Sequence, residues 1–442
     1  MKKFRLLSLT LALGSAFAST AQAESLQELY DLARAYDAAY QSAKAQYNAT
    51  QALSEEAKSN LLPTVNLGAS TSNGQINIIE SSPAQPNRNF TTTSATLSAS
   101  QPLYRPLNFA QYRQGRKQAD LAEAQLSIAE QDLIVRISQA YFDVLGAQDT
   151  LAFVKAQRIA VAEQLASAKR NFEVGTATIT DTREAQARYD LVIAQEIAAD
   201  NDLRVKKLAL DQGVGKPDTN PNPLATYKLP DVMPAEVTPW IQQALDLHPT
   251  LKQLQTALDI AKLEVDKAEA GHKPTLDLVA SYGYNDNSNG NTTSTVSSKS
   301  TTGIVGVNFN LPLFAGFFTQ NRVKETLALQ EKARADLEAA QRNISQGTRA
   351  AFYGVVSGLG QVKALEAAEA SSQSALDANK LGYQVGVRIN IDVLNSQSQL
   401  YQTKRDLAKA RYDVLVGGLK LRQANGTLKA DDLQDVNGLL SK

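Results

Sequence analysis

The chain contains no cysteine, only two histidines and a single tryptophan among its 442 residues. The absence of cysteine excludes disulfide bonds and thiolate metal ligands. His248 precedes a proline and His272 precedes Lys-Pro, which predicts helix ends rather than metal ligands. The sequence presents no constellation of nucleophile, base and orienting group. We therefore expect a protein that is not an enzyme and that holds no cofactor and no metal.

Long hydrophobic runs are also missing. The most apolar segment, 6–18, covers 13 residues and is too short to span a bilayer as a helix. It follows a basic start and precedes small residues at 21–23, a pattern typical of a secretory signal peptide. We expect residues 1–23 to be removed on export. Acidic residues then exceed basic ones by three, which argues against a nucleic-acid partner.

Proline is absent from two long stretches, 107–216 and 313–442, which are rich in Ala, Gln, Leu, Glu, Lys and Arg. These residues favour helix, and apolar residues recur there at spacings of three and four. A helix over 107–172 would be about 100 Å long, so we expect the long helices to pack side by side as a coiled-coil-like wall. For these segments alone, a long soluble coiled coil is a comparable interpretation.

The two halves of the chain repeat each other at an offset of 211 positions. Residues 63–65 match 274–276, and residues 140–142 match 351–353, with a slip of about one residue near 102–104. A constant offset over so long a span predicts one structure with two pseudo-equivalent halves.

The repeat and the proline pattern together predict the domain boundaries. The predicted segments are a signal peptide at 1–23, a first repeat at 24–214, a linker at 215–239, a second repeat at 240–426 and a C-terminal tail at 427–442. The first repeat is expected to contain strands at about 64–80 and 91–103 and a helical hairpin at 106–214. The second repeat is expected to contain strands at about 275–285 and 303–313 and a helical hairpin at 316–424. Shorter helices at 25–62 and 237–273 are expected to break near Asp37 and Pro249. Glycines at 354, 358 and 360 predict a bend or a close helix contact.

Each predicted strand alternates between apolar and polar residues. In the last one, Val305, Val307 and Phe309 share a face opposite Gly306 and Asn308. This alternation and length suit a tilted membrane strand, although soluble amphipathic hairpins remain the alternative.

An open sheet edge cannot lie in lipid, so membrane strands require an oligomer. Three chains give twelve strands and leave room for a lumen, whereas two give eight, which side chains fill; we favour three. Aromatic residues gather near the strand ends, as at a membrane interface, at Tyr104, Phe109, Phe314, Phe317 and Phe318.

Each long hairpin turns at a related tip, FEVGTATITDT at 172–182 and YQVGVRINIDV at 383–393. Gly175 and Gly386 follow an apolar residue at a helix end, where a left-handed residue is common.

Helix capping is one role expected at these tips. Thr180 or Asp181 is expected to cap the helix after the first tip, with Glu184 three residues after Asp181. Asp392 suits the positive start of the helix after the second tip.

These tips, together with AYFDVL at 140–145 and GHKPTLDL at 271–278, resemble the TolC family of outer-membrane channel-tunnels. The resemblance covers essentially all of 24–442. It implies a mixed α+β fold, mostly α, whose homotrimer forms a 12-stranded transmembrane β-barrel in the outer membrane, continued by a periplasmic α-helical barrel.

The same resemblance implies a function. The protein would be a passive gated exit duct for tripartite efflux pumps or type I secretion, carrying small toxic molecules or secreted proteins. Its partners would be a periplasmic adaptor (membrane fusion) protein, an inner-membrane transporter and outer-membrane lipid. The alternative is a non-channel trimeric coiled-coil protein of the periplasm or cell surface.

The resemblance also assigns a gate. Thr180, Asp181, Tyr383 and Arg388 match positions at which the family closes its tunnel. Arg388 and Tyr383 would bond to Asp181 and Thr180 of a neighbouring hairpin. Arg170 matches a further polar position at the tip.

A second feature implied by the resemblance is an acidic constriction ring. Asp392 matches one of its two positions, whereas Asn395 departs from the other. Three chains would then contribute three carboxylates rather than six, which predicts moderate cation selectivity.

Overall fold

The computed structural model describes residues 24–80, 87–225 and 229–441. The signal peptide predicted at 1–23 lies outside these residues. The fold is mixed α+β and mostly helical, as expected. In chain order its elements are α1 (Leu26–Tyr36), α2 (Ala38–Ser59), β1 (Thr64–Ile76), β2 (Arg88–Tyr104), α3 (Pro106–Glu173), α4 (Ile179–Val214), α5 (Val237–Leu247), α6 (Pro249–Ala270), β3 (Thr275–Ser288), β4 (Ser298–Asn310), α7 (Phe318–Gln384), α8 (Asn390–Ala424) and α9 (Asp432–Asn437).

The same order of two short helices, two strands and two long helices occurs twice, which confirms the internal repeat. The short helices break at Asp37 and at His248, as the sequence predicts. The Asp37 carboxylate accepts a hydrogen bond from the amide of Tyr40 at 2.8 Å and so satisfies a free N–H at the start of α2. Pro249 opens α6, where its fixed φ and missing N–H are harmless.

The four strands form one antiparallel sheet in the order β1-β2-β3-β4. Leu67 lies opposite Leu97, which lies opposite Tyr282, so the apolar positions of successive strands share one face. That face is open: Leu67 is 75% exposed and Val305 is 78% exposed. A register shift between Pro102 and Tyr104 places a bulge where the repeat slips by one residue.

The strand ends differ from the predicted ones. β1 stops at Ile76 instead of 80, because the amide of Ile78 bonds to the Asn87 side chain rather than to a backbone partner. β4 runs over 298–310 instead of 303–313, and β3 extends to Ser288 to pair with it. The residues at the start of β4 are polar, so no apolar alternation marks them in the sequence. β2 likewise begins at Arg88 and ends at Tyr104.

The chain packs into two compact units, each built from both repeats. Of the described residues, one unit comprises those up to Lys44, those within Leu126–Leu251 and those from Ala340 onward. The other comprises Ala45–Gln125 and Lys252–Ala339 and contains the sheet. The repeat boundaries given above stay a prediction.

The first unit holds a heptad seam along α8. Its members are buried at seven-residue intervals, at Val393, Leu400, Leu407, Val414 and Leu421. This is the spacing of coiled-coil packing. Helix α7 runs unbroken through the three glycines discussed above. A Cβ at Gly358 would lie 2.8 Å from Val414, so this glycine permits a close approach of α7 and α8 rather than a bend.

A separate core in this unit is rich in aromatic residues, including Tyr30, Tyr141, Phe142 and Tyr412. The Tyr141 hydroxyl lies 3.1 Å from the carbonyl of Glu24 and 3.0 Å from that of Asn222. Among the described residues, no helix is long and apolar enough to cross a membrane.

Candidate functional site

The two hairpin tips share one backbone geometry. At the first, the amide of Gly175 donates to the carbonyl of Phe172 at 3.0 Å and that of Thr176 donates to Asn171 at 2.8 Å. The second repeats this with Gly386 to Tyr383 at 3.2 Å and Val387 to Gly382 at 2.9 Å. Both patterns are Schellman motifs. They require a left-handed residue, and Gly175 and Gly386 have φ of 79° and 80°.

The helices that leave the tips begin differently. The N-cap of α4 is Thr178, whose hydroxyl accepts from the Asp181 amide at 3.3 Å, while the Asp181 carboxylate accepts from the Thr178 amide at 2.9 Å. This capping box corrects the expectation that Thr180 or Asp181 is the cap with Glu184 as its partner. The spacing T-x-x-D was the available signal, because an aspartate at the third position can replace glutamate. The N-cap of α8 is Ile389, which makes no side-chain cap bond.

The residues matched to the family gate lie at these tips, and Asp181, Tyr383 and Arg388 have polar partners within their own chain. The Tyr383 hydroxyl accepts from the Asn171 side-chain amide at 3.1 Å. Arg388 lies 3.7 Å from Asp392, one turn along the chain. Thr180 and Arg170 are exposed. The Asp181 carboxylate accepts from Thr178, and the described residues of this single chain show no bond from Arg388 or Tyr383 to Asp181 or Thr180.

Asn390 joins the two tips and was not singled out from the sequence. Its side chain is fully buried, and its amide nitrogen donates to the backbone carbonyl of Asp181 at 3.1 Å. Its amide oxygen accepts from the side chain of Gln164 on α3. Both polar groups of this buried amide are therefore satisfied by the other hairpin. An asparagine in the first turn of a helix gives no sequence signal for such a role.

The predicted ring residues lie in the first two turns of α8. Asp392 is half-buried, and Asn395 is exposed. The guanidinium of Arg188, on α4, donates through Nη2 to Oδ1 of Asn395 at 3.0 Å. Sequence reasoning missed Arg188, because it stands 207 positions before its partner.

Apolar packing behind the tips fixes their position. In α3, Val154, Val161 and Ala168 are buried at seven-residue spacing and pack with Val192 of α4 and Leu394 of α8. This interlocking seam spans three helices, so the polar side chains described above sit on a rigid support.

In the three described ranges, no group of at least three His, Cys, Asp or Glu side chains could hold a metal ion. The polar groups at the tips are instead arranged for contacts between helices.

Paired helical hairpins with matching tips and a four-stranded sheet whose apolar face is open are the two distinguishing features of this fold. The family model described as outer membrane efflux protein matches residues 29–216 and 240–427. The two matches are displaced by 211 residues, which is the offset of the internal repeat.

Relatives and solved structures agree with the family match. The chain is 35% identical to the outer membrane protein TolC of Vibrio cholerae, over 99% of this chain and 98% of the relative. It is 33% identical to the alkaline protease secretion protein AprF of Pseudomonas aeruginosa, over 79% of this chain and 72% of the relative. The crystal structure of the outer membrane protein VceC of Vibrio cholerae has the same fold, with a TM-score of 0.79, 19% identity and coverage of 91% of this chain and 96% of that one.

The chain belongs to the outer membrane efflux protein family. It is an outer-membrane protein, and the family resemblance drawn from its sequence is confirmed.

Proposed function

We propose that the protein is a passive, gated exit duct of the outer membrane that extends into the periplasm. The observation that carries this proposal is the sheet. Its apolar face is exposed along β1 and β4, with Leu67 at 75% and Val307 at 60%. Lipid is the environment in which such a face is stable.

The sheet also supports a homotrimer. β1 and β4 are its outer strands, and each leaves backbone groups unpaired along one edge. Unpaired edges are not tolerated in lipid, so neighbouring chains must supply partners. Three chains close twelve strands around a lumen, which the duct requires.

The cargo and partners follow from the relatives. One relative is named for secretion of an alkaline protease, and the matched family is named for efflux. We propose that this chain serves both kinds of export, for small toxic molecules and for proteins. A periplasmic adaptor and an inner-membrane transporter would supply the energy, and the duct itself would perform no catalysis.

The tips would form the periplasmic gate. In this proposal Thr180, Asp181, Tyr383 and Arg388 exchange partners between neighbouring hairpins on closing and opening, with Arg170 beside them. The support for this placement is that Asp181, Tyr383 and Arg388 already engage polar partners at the tips. Asp392 and Asn395 would line the constriction.

The proposal is tested by fractionation and conductance. The full chain should be extracted by detergent from the outer-membrane fraction only, as a trimer that heat dissociates. The purified trimer should form channels in planar bilayers. A trimer recovered from the soluble periplasm, or an inserted trimer that conducts no ions, would favour the coiled-coil alternative.

A further inference from the structure

We infer that Arg188 sets the ion selectivity of the constriction and makes it favour anions. This inference rests on the proposed duct, in which the first turns of α8 line the narrow neck. It is opposite in sign to the moderate cation selectivity that Asp392 alone predicts.

The contact between Arg188 and Asn395 is the first observation. The guanidinium donates to the side-chain oxygen of Asn395 at 3.0 Å. An amide carries no charge, so this contact orients the guanidinium without neutralising it. Arginine stays protonated at all working pH values. The second ring position is therefore occupied by an uncharged residue that holds a fixed positive charge beside it.

The partner of Asp392 is the second observation. Its carboxylate lies 3.7 Å from the guanidinium of Arg388, one helical turn away. Opposite charges at this separation largely cancel for an ion that passes at a greater distance. The carboxylate that should attract cations is thus already compensated within its own chain.

The two observations together give the charge at the ring positions. The two ring residues and their direct partners contribute one carboxylate per chain, on Asp392, and two guanidinium groups, on Arg188 and Arg388. Asp190 lies two residues after Arg188 on α4, and residues two apart on a helix do not share a face; its carboxylate accepts from the side chain of Gln186 at 2.9 Å. Rings of arginine favour anions in pores, and three chains would repeat this excess around one axis.

The consequence concerns what the duct passes most easily. A neck with a positive excess raises the local concentration of anions and repels multivalent cations. Screening acts over about 8–10 Å at physiological salt, so the preference should be largest in dilute salt. Small anionic permeants should therefore cross more readily than cations of equal size.

The test uses the full-length trimer reconstituted in planar bilayers under a KCl gradient, with the reversal potential as readout. The parent protein should show an anion-side reversal potential and little block by millimolar Mg²⁺. Arg188→Gln should lower the chloride-to-potassium permeability ratio at least about twofold, and Arg188→Lys should retain most of the parent value. Asn395→Asp should also shift the ratio toward potassium, because it neutralises the guanidinium.

A matched control lies on the same helix. Arg204 is exposed and pairs with Asp200 one turn before it, far from the tip, so Arg204→Gln should leave the reversal potential unchanged. Two results would overturn the inference: a cation-selective parent, or an Arg188→Gln channel with the parent's ratio. Failure of the proposed function is distinguishable, because an inserted trimer would then show no conductance in any variant.

Discussion

Asn390 shows how much one side chain contributes at the tips. Its buried amide bonds to the backbone of Asp181 and to Gln164, both on the other hairpin. Removing a buried hydrogen-bonding group leaves its partners unsatisfied, which costs about 1–3 kcal/mol. The tie also holds the start of α8 against the start of α4, so its loss should let the tips separate.

We therefore expect Asn390→Ala to lower the thermal dissociation midpoint of the trimer and to raise its resting conductance. The control is Asn379→Ala, because the Asn379 amide bonds at 2.6 Å to Ser396 of the same hairpin. That variant should lose stability with little change in conductance. Equal conductance changes in both variants would show that Asn390 does not tie the hairpins together.

Asp149 gives a pH-dependent prediction. Burial raises the pKa of its carboxyl, and the hydroxyl of Tyr412 at 2.7 Å and the charge of Arg411 only partly oppose this. A carboxyl whose pKa is higher in the folded than in the unfolded chain holds its proton more tightly when folded. Its contribution to stability is full below the unfolded pKa and is lost as pH rises through the folded pKa.

Asp149→Asn should therefore raise the unfolding midpoint near neutral pH, and the gain should shrink as pH falls toward about 4. Tyr412→Phe provides the opposing comparison, since it removes the donor that favours the ionised carboxyl and should lower the midpoint near neutral pH. Midpoints measured in detergent across this range check the sign. A gain for Asp149→Asn that stays constant with pH would contradict the assignment.

At the scale of elements, adjacent residues of one strand lie on opposite faces of the sheet and should tolerate a charge differently. Val307 lies on the apolar face and Asn308 on the polar one, both exposed in the single chain. Arginine on a lipid face costs about 2–4 kcal/mol near the bilayer midplane. Val307→Arg should sharply reduce the yield of trimer in outer membranes, whereas Asn308→Arg should be mild. Similar yields for both variants would argue against a lipid-facing sheet.

The elements also show what the sequence could predict and what it could not. Alternation over 305–309 identified the faces of β4, and Pro249 identified the break at His248. The first part of β4, at 298–302, was not predicted from the sequence, because its residues are polar and show no apolar alternation. The roles of Asn390 and Arg188 were not predicted for a different reason. Their partners lie more than 200 positions away, and a contact between hairpins leaves no local pattern in the sequence.

At the scale of the whole molecule, the proposed gate is the feature to test. Tyr383 accepts from Asn171, a bond worth about 0.5–1.5 kcal/mol, and the exposed pair of Arg388 and Asp392 is worth about 0–1 kcal/mol. Neither bond alone holds the tips shut. We expect Tyr383→Phe combined with Arg388→Ser to raise single-channel conductance more than the two single variants together. The control variant Arg204→Ser should have the same conductance as the parent protein. If the double variant also has the parent's conductance, Tyr383 and Arg388 do not hold the tips closed.

The unequal caps of the two tips have a kinetic consequence. Thr178 and Asp181 tie down the first turn of α4, whereas Ile389 leaves the first amides of α8 without a side-chain acceptor. Helix starts without caps fray more readily. Backbone amides at 390–392 should therefore exchange their hydrogens with solvent faster than those at 179–181. In a closed trimer, slow-opening and fast-opening tips would alternate around the ring, so its breathing motions would have threefold rather than sixfold symmetry.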